Sequence, residues 1–80
     1  MYEEVIAAIK RFPWCHPTES TWFVQTTLSP KGLYQRLKPH LHAKDKVIIT
    51  PVPPGSWWSQ GLSEAVREWL HAKLKVKRPV

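Results

Sequence analysis

The sequence holds one cysteine, one aspartate and no apolar run near the length that spans a bilayer, about 20 residues. The lone cysteine, Cys15, excludes an internal disulfide and suits a reducing compartment. It also excludes the paired CxxC spacing of common zinc sites. Cys15-His16-Pro17-Thr18-Glu19 and the His40-x-His42 pair both carry ligating side chains, yet neither has the spacing of a metal motif. A catalytic thiol needs a positioned base, and nothing in the pattern specifies one. Ordinary loop and core roles are therefore expected for these residues, with no catalytic residue, no metal site and no cofactor. The opening MYEEVIAAIK places acids ahead of a short apolar run, unlike the basic start of a secretory signal. The expected location is cytoplasmic, with no membrane partner.

Acids are scarce as well. Six Asp and Glu stand against twelve Lys and Arg, for a net charge of +6. The excess is uneven. Residues 1–30 carry −1, from Lys10 and Arg11 against Glu3, Glu4 and Glu19. Residues 31–50 carry +4, from Lys31, Arg36, Lys38, Lys44 and Lys46 against Asp45. Residues 51–70 return to −1, and Lys73, Lys75, Lys77 and Arg78 follow without an acid. Two separate basic blocks are candidates for phosphate contact, although a solvated face and a basic tail have the same composition.

At 80 residues the chain makes one small domain, which buries only about 60% of the surface its unfolded form exposes. Five tryptophans are abundant for that length, and large rings raise burial per residue. Residues 1–72 are expected to form a single α+β domain, with 73–80 a basic C-terminal tail or edge strand. Tyr2, Val5, Ile6, Ile9 and Phe12 repeat with helical spacing. Glu3 and Glu4 suit that helix's start, Lys10 and Arg11 its end, and Pro13 stops it. STWFVQTT, residues 20–27, is β-branched and aromatic and reads as a strand. The preceding PWCHPTE reads as a short edge strand or an irregular approach.

Ser29-Pro30 opens a second helix with Leu33, Leu37 and Leu41 in its stripe, ending or kinking near Pro39. VIITPV, residues 47–52, reads as a strand buried on both faces and closed by Pro51, Pro53, Pro54 and Gly55. Ser63 caps a last helix whose apolar side holds Leu62, Val66, Trp69, Leu70 and Leu74. The order is thus α-β-α-β-α. Two strands alone make too little sheet. The Trp14 segment, the alternating KLKVKRPV terminus or a second subunit must complete it, and a homodimer is expected. Trp22 and Trp69 belong to the core. Trp57 and Trp58, adjacent in a loop, are expected to differ, one covering the core and the other partly exposed.

Several runs resemble a known family. Ser20-Thr21-Trp22, Leu37-Lys38-Pro39-His40-Leu41, Asp45 before the next apolar run, and Trp69-Leu70 are similar to small bacterial proteins called SinR-like. That group is related to the CRISPR-associated Cas-two family. The resemblance covers most of residues 2–74 and implies a ferredoxin-like βαββαβ fold, here truncated. Family members begin with a strand ending in Tyr-Asp, whose aspartate is the implied metal ligand in the nuclease branch. This sequence starts in the helix that would follow, so no aspartate carries over.

Hydrolysis of phosphodiesters with a divalent metal needs converging carboxylates. Glu3, Glu4, Glu19, Glu64 and Glu68 are accounted for by helix starts and surface. The expectation is a non-catalytic binding protein. Its partners would be non-specific nucleic acid, met through Lys31, Arg36, Lys38, Lys44, Lys46, Lys73, Lys75, Lys77 and Arg78 with Trp57 or Trp58 stacking on bases, or another protein. The alternatives are a metal-dependent nuclease of the Cas-two type and an eroded family member that retains only the fold.

Overall fold

A computed structural model describes residues 3–74. They form three α-helices and a two-stranded antiparallel sheet, an α+β arrangement. The elements are α1 (Glu3–Ile9), β1 (Trp14–Thr18), β2 (Thr21–Val24), α2 (Pro30–Leu37), a 3₁₀ turn (Lys38–His40) and α3 (Glu64–Lys73). The chain falls into two compact units, Met1–Trp14 with Val24–Pro51, and Cys15–Phe23 with Val52–Val80.

In the first unit α1 packs against α2. Val5 and Ala8 of α1 meet Leu33 and Leu37 of α2 in a buried cluster, with Ile9, Phe12, Val24, Leu28, Leu41 and Ile49 packed around it. The spacings Val5–Ala8 and Leu33–Leu37 are the i, i+3 and i, i+4 repeats that put side chains on one helix face. Helix α1 ends at Ile9, so Lys10 and Arg11 stand just past it rather than in its last turn. Their N–H groups still donate to Ile6 and Ala8 carbonyls, at 3.0 and 3.3 Å. Lys10 lies 4.8 Å from the centre of the Trp14 ring, a cation–π distance.

Helix α2 starts as its sequence directs. Ser29 is extended, its hydroxyl accepts from the Gly32 N–H at 3.0 Å, and Pro30 occupies the first turn. Pro39 cannot donate to an i−4 carbonyl, and the helix tightens into the 3₁₀ turn from Lys38. Leu41 therefore lies beyond the helix, although it still packs on the core. Asp45 closes the following turn: its carboxylate accepts from the His42 N–H at 2.9 Å, while its own N–H donates to His42 O at 3.0 Å.

The strand expected over residues 47–52 is not there. From Asp45 to Pro53 the chain runs without helix, turn or bend, but it joins no ladder among the described residues. Only Ile49 turns to the core; Ile48 is 91% exposed and Val47 46%. A buried run needs cover on both faces, and the described residues cover one. Instead, β2 pairs with β1, built by the Trp14 segment, across a two-residue turn at Glu19 and Ser20. The observed order α-β-β-α-α thus replaces the expected α-β-α-β-α. Pro17 is tolerated in β1 because each strand of a two-stranded sheet has an open edge.

In the second unit α3 is capped by Ser63, whose hydroxyl accepts from the Val66 N–H at 3.3 Å. Glu64 sits in its first turn and His71 and Lys73 in its last, as the helix dipole favours. Leu70 is the deepest side chain, 1% exposed. Trp22 and Trp69, expected in the core, are only half-buried; rings this large seldom bury completely. The alternating terminus beyond Leu74 lies outside the described residues.

Candidate functional site

Before α3, Pro53-Pro54-Gly55-Ser56 makes a tight turn in which the Ser56 N–H donates to Pro53 O at 3.1 Å. Gly55 has φ 79°, the left-handed value that the third residue of a type II turn requires, and proline suits the residue before it. The turn delivers two tryptophans with different fates. Trp57 is half-buried. Its indole N–H donates to the Leu74 carbonyl at 2.6 Å, and its ring meets His71 edge-on, with centroids 5.4 Å apart. The last carbonyls of a helix lack intrahelical partners, and the indole supplies one. Trp57 is a clasp on the end of α3. Trp58 is 88% exposed.

Beside these rings lies an open hollow of about 420 Å³, lined by residues 57–62 on one side and by Arg67 and His71 of α3 on the other. Arg67 and His71 are four residues apart, which places them on one face of the helix. Gly61, also at φ 79°, turns the chain here, and a Cβ added to it would meet nothing within 4 Å. The hollow thus combines a bare indole face, a five-donor guanidinium, an imidazole and the Gln60 amide. That set suits a flat aromatic group with a nearby anion.

Of the sequence candidates, Lys31, Arg36, Lys38, Lys44 and Lys46 all lie exposed in the first unit, from the start of α2 to the run after Asp45. Lys73 is exposed at the end of α3, while Lys75, Lys77 and Arg78 lie outside the described residues. Trp57 and Trp58 do share a site, with Arg67 and His71, which lie outside the two basic blocks. Arg67 stands in a stretch of net −1, and His71 adds nothing to the formal charge. Their i, i+4 spacing on the polar side of α3 was the available signal.

Cys15 is buried, and desolvation raises its thiol pKa. His16 stacks on Trp22 with centroids 3.8 Å apart and 11° between the planes, and its Nδ1 donates to Thr21 O at 2.8 Å. Both side chains of that tempting pair are thus engaged in the hairpin. Among the described residues no three His, Cys, Asp or Glu side chains gather where an ion could be held. No described helix is long and apolar enough to cross a membrane. Compared with known proteins, the chain matches no protein-family model, no curated protein and no solved structure.

Proposed function

We propose that this chain is a non-catalytic binding module for single-stranded nucleic acid, with Trp58 as its stacking platform. The observation that carries the reading is the 88% exposed Trp58 ring beside Arg67 and His71. A bare indole accepts any base on its face, and base–aromatic stacking contributes about 1–3 kcal/mol per base. Arg67 supplies a forked donor for phosphate. Lys31, Arg36, Lys38, Lys44 and Lys46, all in the first unit, add to the net positive charge that attracts a polyanion without regard to its sequence. In this reading the chain is a relative of ferredoxin-like small proteins that has affinity for phosphate backbones.

The test is tryptophan fluorescence titrated with a mixed-sequence single-stranded oligonucleotide at two salt concentrations. Trp58→Ala is expected to weaken binding about 5- to 150-fold, the range that stacking energy spans. Arg67→Ala is expected to lower the slope of log affinity against log salt by about 0.7, the value for one phosphate on a single strand. Binding that ignores both substitutions would sink the proposal.

A further inference from the structure

Between the turn closed by Asp45 and Pro51 lies an unpaired run of strand-forming residues. Lys46, Val47, Ile48, Ile49 and Thr50 run on without helix, turn or bend. Among the described residues none of their backbone N–H groups donates to another carbonyl, and none of their carbonyls accepts from another N–H. Ile49 is tied to the buried cluster, so the segment is anchored from one side. Ile48, 91% exposed, faces away from it. Valine, isoleucine and threonine are strand formers, and an exposed strand edge is a template for pairing with another chain.

We propose that residues 46–50 form a docking edge for an extended, acidic segment of a partner protein, which adds to it as a β-strand. None of these residues lines the Trp58 hollow.

Backbone chemistry sets the form of the occupant, because a row of open N–H and C=O groups is completed by another extended backbone. In an extended strand, alternate residues present these groups to opposite edges. Val47 and Ile49 share an edge with Pro51, which has no N–H to offer. Lys46, Ile48 and Thr50 share the other, where every residue can donate. The proposal commits to that second edge.

Charge decides between partners. Lys44 and Lys46 are exposed beside the apolar run, and Asp45, the acid between them, is spent on the His42 N–H. A second copy would bring no free acid to the seam, since Asp45 is the one acid of residues 31–50, and the lysine-rich segment 73–78 would bring only cations. Like charges across a strand pair are destabilising, whereas acids opposite lysines are favourable. With the partner antiparallel and an apolar residue opposite Ile48, the residue opposite Lys46 lies two positions further along the added strand, and the chain beyond it runs toward the turn that carries Lys44. The preferred occupant, added antiparallel, therefore reads apolar-x-acid-x-acid from its N-terminal side.

The experiment uses the full chain with a labelled peptide containing Ile-Thr-Glu-Thr-Glu, and a control carrying Lys in place of each Glu. Anisotropy gives affinity, and amide hydrogen exchange by NMR gives location. The acidic peptide is expected to bind and to slow exchange at Lys46, Ile48 and Thr50 more than at Val47 and Ile49. The lysine control is expected to bind at least about tenfold more weakly.

Ile48→Pro, which removes one donor on the committed edge, is expected to weaken peptide binding about tenfold, and Ile48→Thr to retain most of it. Both leave oligonucleotide binding at Trp58 unchanged, so failure here is distinguishable from failure of the nucleic-acid reading. Ile48 is exposed, so neither variant opens the core. Four results overturn the proposal: equal binding of the two peptides, protection confined to other amides, protection already present in the free monomer, and protection that grows with chain concentration alone. The last would assign the edge to a second copy.

Discussion

Trp57 and Trp58 are neighbours in sequence with opposite roles, and single substitutions separate them. Trp57→Phe keeps a ring against His71 but removes the donor to the Leu74 carbonyl. It is expected to lower stability by about 1 kcal/mol in urea denaturation, the net worth of one hydrogen bond. Trp58→Ala is expected to change stability by less than about 0.5 kcal/mol, since it removes an exposed ring. The sequence foretold that the pair would split. It did not say which ring would be held, because Leu74 O becomes an acceptor only where α3 ends.

Cys15 behaves as a buried apolar side chain. Its raised pKa keeps the thiol protonated at neutral pH, so labelling by a thiol reagent should be slow when folded and fast in denaturant. The unfolded thiol ionises first, near pH 8.5. Stability from this group is therefore complete below that pH and declines as pH rises through it towards the higher folded value. A folded chain that labels at the unfolded rate at pH 7 would contradict the burial of Cys15.

At the scale of elements, the helix starts were the most legible features. Ser29 and Ser63 each cap as their positions suggest, and Ser→Ala at either is expected to cost about 1 kcal/mol, measured by thermal denaturation. Gly55→Ala should cost about 1–2 kcal/mol, because alanine would be forced to φ 79° in the turn that presents both tryptophans. Strands were harder to read. WCHPT carries a proline and a histidine and has little strand signal, yet it is β1 because TWFV lies alongside. VIIT has the strongest strand composition in the chain and pairs with nothing described. Propensity reports what a segment tolerates; pairing depends on what tertiary contact brings beside it.

For the whole molecule, a chain of 80 residues has a stability of roughly 4–12 kcal/mol. Leu37 in the first unit and Leu70 in the second are almost fully buried, and leucine-to-alanine changes at such sites cost about 2–5 kcal/mol. Either substitution should shift the urea midpoint far more than any surface change, and a shift no larger than that of Trp58→Ala would refute the assigned cores. The hydrophobic repeats of α1 and α2 made the first core readable, since Val5, Leu33 and Leu37 fall on their stripes. The hollow was hidden because it joins a loop to the polar side of α3, and no periodic signal links the two.

The bare run of Val47, Ile48, Ile49 and Thr50 also has a bearing on colloidal behaviour. Short windows of high β-propensity without charge are the segments that seed fibrils. Here Lys46 guards one end and Pro51 the other, the placement of gatekeepers that keep such a window from recruiting its own kind. Modification that neutralised Lys44 and Lys46, such as acetylation, would lift half of that guard. The same two cations that welcome an acidic strand hold concentrated solutions of the chain apart.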